Sequence, residues 1–213
     1  MITKKEFPKG TIILFVSLVV LLVIIYMSQS AKQKPIPQDL IAVLRPHAIP
    51  ILPFTLTDQS GQPFTEKRLK GKWSFIFFGY THCPDICPTT LSTLKQINSA
   101  LQEQPQAATD IQVIFVSVDP QRDKPEMLEK YMAFFNPKFT AVTGYADPLL
   151  NFSRQFGAAY IKEPTDTANN YLISHTSSIF LVDPKIRIVA SFSPPHDAQR
   201  ITAQYLKIHD LFQ

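Results

Sequence analysis

Several features are missing from this sequence, and each absence narrows its function. Only two of the 213 residues are cysteines. Neither comes directly after the long apolar run near the start, where a lipoprotein would have the cysteine that is acylated. No internal repeat or low-complexity tract occurs. Lysine and arginine are scattered, without the basic stripe on one face that nucleic-acid binding requires. We therefore expect no nucleic-acid partner.

Charge is nearly balanced outside the first residues. The formal net charge is +4, but residues 28–213 carry 18 Lys and Arg against 16 Asp and Glu. Lys4, Lys5 and Lys9, together with Glu6, contribute half of this net positive charge. The main part of the chain is therefore close to neutral, and an acidic substrate is not implied.

The chain is long enough for one domain of about 150 residues plus an appendage. Its one long apolar run, residues 11–27, contains no charged residue. As a helix this run would be about 26 Å long, slightly short of a hydrocarbon core of roughly 30 Å, a difference that local thinning can absorb. A cleaved signal peptide is the alternative, because lysines precede the run and small or polar residues follow it. We predict a retained transmembrane anchor.

The lysines near the start predict the orientation of this anchor. Under the positive-inside rule, residues 1–10 stay in the cytoplasm and everything after residue 27 lies outside. The start is too short and too poor in arginine for a mitochondrial transit peptide. We therefore predict a single-pass protein of a bacterial inner membrane, with its C-terminal domain in the periplasm.

Residues 28–49 have the composition of an extended tether. They are polar and contain Pro35, Pro37 and Pro46, with Pro50 at the boundary. Proline-rich segments of this kind act as spacers. We expect this tether to hold a domain of residues 50–213 away from the bilayer.

Buried strands and helices alternate in that domain. Residues 73–80 (WSFIFFGY) and 111–118 (IQVIFVSV) are apolar runs typical of strands buried on both faces. Helical spacing of leucine and isoleucine follows the first run over residues 88–103. Asp123 and Glu126 resemble a capping box at the start of the next helix. The remaining predictions are a hairpin of 53–57 and 62–65, helices over 127–135, 147–156 and 197–211, and strands at 139–143, 177–182 and 188–193.

This order of elements predicts a layered α/β domain. Strands alternating with helices, and ending in an antiparallel pair and a helix, specify a mixed central sheet flanked by helices. A thioredoxin-like fold fits that order.

Both cysteines, Cys83 and Cys87, lie where the predicted central strand passes into a helix. A thiol there lies beside unsatisfied backbone N–H groups and the positive end of a helix dipole, which lowers its pKa. Metal binding and thiol exchange both need the deprotonated sulfur. The location alone therefore leaves both chemistries open.

The spacing of the cysteines favours a metal. Redox enzymes of this fold usually carry C-x-x-C, whereas C-x-x-x-C places both sulfurs on one side of a helical turn. Two thiolates leave zinc or an iron–sulfur cluster short of ligands, but Cu(I) needs only two or three. A structural disulfide is the alternative, although so small a loop would remove little unfolded-state entropy.

A set of motifs resembles the SCO/SenC family from about residue 50 onwards: Cys-Pro-Asp-Ile-Cys-Pro after an apolar strand, Ser-Val-Asp-Pro, Arg-Asp-Lys-Pro-Glu and a late histidine. Proteins of that family are similar to thioredoxins in fold and help assemble the dinuclear copper centre of cytochrome c oxidase. The resemblance implies copper, as Cu(I) and also Cu(II), bound by Cys83, Cys87 and His175. The implied partners are the copper-site subunit of the oxidase, a periplasmic copper donor and a thioredoxin-like reductant.

The surroundings of His175 depart from that family's pattern. The usual sequence there resembles Val-Asp-His-Ser, whereas this chain has Ile173, Ser174, His175 and Thr176. An acidic neighbour that could orient the imidazole is replaced by serine, so we expect copper affinity or oxidation-state preference to differ. The loop of residues 160–170 before His175 is a candidate contact for a partner.

Other polar residues are assigned other roles. His82 is a rival ligand, but consecutive side chains diverge, so chelation together with Cys83 would demand an unusual backbone. Asp85 is placed to cap the following turn or touch a partner, and Asp119 and Asp123 look like strand-end and helix-cap residues. The histidines that we expect to be solvated are His47, His196 and His209.

The primary hypothesis is a copper metallochaperone. Reduced Cys83 and Cys87 with His175 hold copper, and a docking oxidase subunit takes it by stepwise ligand exchange. The alternative is an enzyme, a thiol–disulfide oxidoreductase that reduces the cysteines of the oxidase copper site, and the two functions can coexist. A peroxiredoxin-like peroxidase is disfavoured because Thr81 and Cys83 do not reproduce Thr-x-x-Cys spacing.

Overall fold

The computed structural model describes residues 9–30, 36–104, 111–164 and 171–212. The chain divides into two units, Met1–Gln38 and Asp39–Gln213. The first contains helix α1 (Lys9–Ser30), whose Gly10 and residues 14–26 are exposed. No helix in the described part of the chain combines the length and apolar character needed to cross a membrane. The transmembrane anchor over residues 11–27 stays a prediction.

The second unit is a mixed sheet flanked by helices. Its strands are β1 (Leu44–Pro50), β2 (Thr55–Asp58), β3 (Pro63–Thr65), β4 (Trp73–Gly79), β5 (Ile111–Ser117), β6 (Thr140–Thr143), β7 (Tyr160–Lys162), β8 (Ile173–His175), β9 (Ile179–Val182) and β10 (Arg187–Phe192). Its helices are α2 (Ile86–Gln102), α3 (Pro125–Phe135), α4 (Ala146–Phe156) and α5 (Ala198–Phe212).

Eight strands form one sheet in the order β1-β10-β9-β4-β5-β6-β2-β3, and β7 pairs with β8 separately. β5 runs parallel to both β4 and β6, whereas β9 is antiparallel to β4. The predicted thioredoxin-like α/β domain with a mixed sheet is therefore confirmed. The predicted hairpin is confirmed as well, since β2 and β3 pair antiparallel across a turn that contains Gly61 with a φ of 76°.

β4 is buried along its whole length because it lies between two paired strands and two helical layers. Successive side chains of a strand point to opposite faces of its sheet. Phe75 and Phe77 join the core cluster that includes α2, α3 and α5, whereas Ile76 and Phe78 join the cluster that includes α4. The carboxyl end of this central strand is consequently fixed in position.

The tether prediction is wrong from residue 39 onwards. Leu40 is fully buried in the core, and β1 pairs antiparallel with β10. The prediction took Pro46 and Pro50 as signs of an extended tether. Proline is also compatible with an edge strand, because the outer N–H groups of such a strand need no partner. The folded domain therefore begins at Asp39 and not at Pro50.

The predicted capping box is also absent. α3 begins at Pro125, and its N-cap residue Lys124 makes no side-chain capping bond. Proline is favoured at the first helical position because its fixed φ suits a helix. α2 likewise begins at Ile86, two residues before the predicted start, so Cys87 lies in its first turn.

Candidate metal centre

The two cysteines lie just beyond the carboxyl end of β4. Cys83 belongs to the loop between β4 and α2, and its N–H donates to the carbonyl of Tyr80 at 3.3 Å. Cys87 lies in the first turn of α2, and its N–H donates to Sγ of Cys83 at 3.4 Å. Both are free thiols in this structure, Cys83 partly buried and Cys87 fully buried. One sulfur is thus reachable from outside while the other is not.

His175 completes the cluster from the end of β8. Its Nε2 lies 3.4 Å from Sγ of Cys87, although the two residues are 88 positions apart. The ligand atoms of Cys83, Cys87 and His175 all lie within 4.8 Å of one another. The structure therefore brings together the three residues that the sequence and the family resemblance single out.

The ring of His175 is held in one orientation. Its Nδ1 lies 3.1 Å from the carbonyl oxygen of Thr176, so Nδ1–H donates there and the lone pair of Nε2 faces the sulfurs. The ring packs edge-on against Tyr80 and Phe77, at centroid distances of 5.9 and 6.0 Å. The Tyr80 hydroxyl in turn accepts the N–H of Ile173 at 3.2 Å. The imidazole is therefore already oriented to bind a metal ion through Nε2.

Gly79 leaves the room that Cys87 occupies. A Cβ at this position would lie 2.6 Å from Sγ of Cys87 and 2.8 Å from Cε2 of Phe115. Cβ atoms do not approach other atoms so closely, so a side chain here would displace the thiol.

A buried carboxylate anchors the loop that leads to Cys83. Asp123 is fully buried and accepts hydrogen bonds from the backbone N–H of Thr81 at 2.9 Å and from its hydroxyl at 2.6 Å. The hydroxyl of Ser117, at the end of β5, donates to it as well, at 2.6 Å. Asp123 therefore joins β5 to the cysteine loop, a role that its sequence position beside a helix start did not suggest.

The two thiols differ in acidity because they are coupled. A hydrogen bond from the Cys87 thiol lowers the pKa of Cys83 far below its ordinary value, against the effect of burial, and the backbone N–H of Cys87 adds to the lowering. The same pairing, together with burial, raises the pKa of Cys87. At neutral pH the pair therefore holds one thiolate and one thiol.

This donor set fits a soft monovalent metal ion. Two sulfurs and one imidazole nitrogen match the two or three ligands that Cu(I) accepts. A structural zinc site would need a fourth ligand, and no further His, Cys, Asp or Glu joins this cluster among the described residues. The chemistry of the residues therefore favours copper.

An acidic residue near His175 was not found by sequence reasoning. The hydroxyl of Ser174 donates to the carboxylate of Glu163. Glu163 directly follows β7, the strand that pairs with β8. A carboxylate from 11 residues earlier in the chain thus contacts position 174. Only the register of β7 with β8 reveals this pair, so no local sequence signal could have indicated it.

The remaining predicted residues lie outside the cluster. His82 is about half exposed, and its Nδ1 lies 3.0 Å from Oγ1 of Thr81 and 3.7 Å from Asp123. Asp85 occupies the N-cap position of α2 but makes no side-chain capping bond. Asp119 pairs with Arg122, which supports its assignment as a structural residue.

Two histidines expected to be solvated are not. His196 is partly buried, with Nδ1 3.3 Å from Oγ1 of Thr90 and Nε2 3.2 Å from the Phe192 carbonyl. His209 packs its ring against Trp73 and Tyr205, both at 5.8 Å. The structure corrects both assignments, because His209 lies on α5 against Trp73 and Tyr205, and His196 lies in the connection between β10 and α5 against Thr90. His47 is exposed, as expected.

The predicted partner loop is only partly described. Residues 160–162 form β7 rather than a loop, and residues 165–170 lie outside the described residues. Contact with a partner there stays a prediction.

Comparison with known proteins gives a consistent result. Residues 45–210 match the model of the SCO1/SenC family. The mitochondrial protein SCO2 of Saccharomyces cerevisiae is 38% identical over 149 residues, which cover 69% of this chain and 48% of that protein. This chain thus spans about half the length of that relative.

Solved structures are similar throughout the domain. Arabidopsis thaliana ScoI, solved with copper bound, is 32% identical with a TM-score of 0.69, covering 75% of this chain and 98% of that one. BsSco, described as a member of the Sco family of cytochrome c oxidase assembly proteins with a disulfide switch, is 25% identical with a TM-score of 0.61. That likeness covers 79% of this chain and 96% of BsSco.

Proposed function

This chain belongs to the SCO1/SenC family, and from that premise we propose that it is a copper metallochaperone for the dinuclear copper centre of cytochrome c oxidase. Cys83, Cys87 and His175 hold the copper, and the copper-site subunit of the oxidase receives it. The observation that carries this proposal is the convergence of two sulfurs and one imidazole nitrogen within 4.8 Å. The copper-bound state of the Arabidopsis relative supports it.

The two cysteines differ in acidity and exposure, and this difference sets the order in which they bind and release copper. Cys83 is the sulfur that is both deprotonated and partly exposed, so it meets an incoming ion first. Cys87 then loses its proton and His175 offers Nε2 without reorienting. An acceptor thiolate first displaces Cys83, because exchange between thiolates needs an accessible sulfur.

Oxidation state and auxiliary partners belong to the same proposal. The site holds Cu(I), and a fourth oxygen or nitrogen ligand would accommodate Cu(II). A periplasmic copper donor loads it, and a thioredoxin-like reductant keeps Cys83 and Cys87 reduced in an oxidising compartment.

A second candidate function is thiol–disulfide exchange, and the unequal acidity of the two thiols favours it. The Cys83 thiolate attacks a disulfide in the oxidase copper site and releases one partner thiolate. Deprotonated Cys87 then attacks the mixed disulfide and releases the second. Two electrons pass to the partner, which becomes a dithiol, and Cys83 and Cys87 become a disulfide.

One pair of assays separates these functions. The full chain in detergent, loaded with Cu(I), is mixed with the reduced, metal-free copper-site domain of the oxidase subunit, and copper is measured in each after separation. In parallel, the metal-free reduced chain is mixed with the disulfide form of that domain. The metallochaperone proposal predicts copper transfer by the wild type, none by His175→Ala, and wild-type transfer by His82→Ala as the matched control.

If the wild type keeps its copper in the first assay, and both histidine variants reduce the disulfide rapidly in the second, the protein is an oxidoreductase. Transfer by His175→Ala at the wild-type level would remove His175 from the site.

We further propose that α1 anchors the protein in a bacterial inner membrane, with the domain in the periplasm. Residues 11–27 carry no charge, and apolar side chains such as Leu14 and Phe15 are 71% and 67% exposed. The full chain should resist carbonate extraction of membranes and be cut by protease added to spheroplasts. Release of the full chain by carbonate, or protection from the protease, would contradict this location.

A further inference from the structure

One buried hydroxyl near the metal centre has no partner. Tyr131 lies on α3, and its hydroxyl oxygen is buried without a hydrogen-bond partner in the described part of the chain. Leaving a buried donor unpaired costs free energy, so such groups are few and each requires an explanation. The surroundings of Tyr131 provide one.

Packing connects Tyr131 to Cys87 through the ring of Phe115. Its ring lies 5.7 Å from that of Phe115, centroid to centroid. The edge of Phe115 and Sγ of Cys87 both lie within 2.8 Å of one point, the Cβ position of Gly79, so they are neighbours. Tyr131 packs against the core cluster that contains Cys87, and Cys83 packs against the same cluster.

The electrostatics agree with this placement. Burial raises the pKa of Tyr131, and the charges of Cys87 and Cys83 raise it further. The hydroxyl therefore keeps its proton at neutral pH and is a hydrogen-bond donor. In the metal-free pair the Cys87 thiol is already engaged with Cys83, which is consistent with the donor being unused there.

We infer that the Tyr131 hydroxyl is a positioning group of the metal centre: it donates a hydrogen bond, directly or through one water, to the Cys87 sulfur once that sulfur is a metal-bound thiolate. This inference rests on the proposed copper function. A metal-bound cysteine is a thiolate, and hydrogen bonds to charged acceptors are the stronger ones. Metal binding therefore turns the Cys87 sulfur from a protonated thiol into a charged acceptor.

Such a bond would tune the preference between copper states. Hydrogen bonds to a ligating sulfur withdraw electron density from it and so favour the reduced metal. Tyr131→Phe removes the oxygen alone. We expect Cu(I) affinity relative to Cu(II) to fall about tenfold, equivalent to a one-electron potential lower by about 59 mV. We also expect the sulfur-to-Cu(II) absorption band to move to longer wavelength.

Tyr205→Phe is the matched control. The Tyr205 hydroxyl is also buried without a partner among the described residues, but its ring packs against Trp73 and Phe75. Burial alone raises its pKa, without a contribution from the cysteines. Tyr205→Phe should therefore leave both the copper potential and the absorption band at their wild-type values.

The experiment measures the copper potential and the absorption band of the full chain and the two variants in detergent. A shift in Tyr131→Phe alone supports the inference, whereas equal behaviour of the two variants overturns it. If the wild type binds no copper, the proposed function fails, and the same three chains are titrated with Cd(II), whose charge-transfer band reports the same sulfurs. A Cd(II) band shifted only in Tyr131→Phe would then support the inference by itself, and an unshifted band or no Cd(II) binding would overturn it.

Discussion

At the scale of single residues, the candidate metal centre depends on groups other than its three proposed ligands. Gly79 provides space, Thr176 fixes the tautomer of His175 through its carbonyl, and Asp123 ties down the loop that carries Cys83. Each acts on the position of a ligand atom. Substitutions at Gly79 and Asp123 should consequently change copper affinity without removing any donor.

Asp123→Asn should loosen the cysteine loop. The amide keeps one acceptor oxygen but places an NH2 group where the other carboxylate oxygen accepts, so a donor of Thr81 or Ser117 would lose its acceptor at a cost of about 1–3 kcal/mol. We expect a lower urea midpoint and weaker Cu(I) binding. The control is Asp39→Asn, which removes an exposed ion pair with Lys207 worth about 0–1 kcal/mol. Equal midpoints in the two variants would contradict this role of Asp123.

Gly79→Ala should displace Cys87. Overpacking of a filled core costs roughly 1–3 kcal/mol, and here the new methyl group meets a ligand sulfur and an aromatic ring. Gly144→Ala is the comparison, because its Cβ would meet only the end of the Leu56 side chain within 3 Å, which can move. Thermal unfolding and Cu(I) competition should both show the larger loss for Gly79→Ala. An undiminished copper affinity in that variant would count against tight packing at the site.

The sequence predicted some of these residues and not others, for a physical reason. The cysteines stand out because they are close together after an apolar strand, and His175 stands out only through the family resemblance. Glu163 and Tyr131 are joined to the site by strand register and by packing between elements. Sequence spacing carries no information about such contacts.

At the scale of elements, burial decided which strands could be recognised. β4 and β5 were evident because strands buried on both faces are continuously apolar. β1 was missed because it is an edge strand with two prolines and no fully buried residue. The start of α3 was misplaced because Asp123 bonds to Thr81 rather than to the helix.

The connection between β10 and α5 should make stability depend on pH. Burial lowers the pKa of His196 below its ordinary value of 6.5, and its neutral ring bonds to Thr90 and the Phe192 carbonyl. A lowered folded-state pKa means that the unfolded chain binds the proton first as pH falls. The stability that neutral His196 contributes is therefore present above pH 6.5 and is lost as pH falls through the folded-state pKa.

His196→Gln tests this dependence, because glutamine keeps hydrogen-bonding capacity but does not titrate. Urea midpoints at about pH 8 and about pH 5 should differ more in the wild type than in the variant. His47→Gln, at an exposed position on β1, is the control and should keep the wild-type difference. If the two urea midpoints of His196→Gln differ as much as those of the wild type, groups other than His196 cause the pH dependence of stability.

At the scale of the whole molecule, the fold brings together two distant parts of the chain. The β4–α2 connection supplies both sulfurs, and the β7–β8 pair supplies the imidazole from 88 residues beyond Cys87. Hydrophobic patterning was enough to predict the layered α/β class. The convergence of these two segments follows from tertiary packing, and only the resemblance to a family anticipated it.

Cu(I) binding by the full chain tests most directly the claim that Cys83, Cys87 and His175 form one copper site. The reduced chain in detergent is titrated without oxygen against a competing chelator, beside Cys83→Ser, Cys87→Ser, His175→Ala and the control His82→Ala. We predict one copper per chain, wild-type affinity in His82→Ala, and in the other variants a loss beyond the roughly 10–100-fold typical of removing an orienting partner. Undiminished binding in His175→Ala, or loss in His82→Ala instead, would contradict the account.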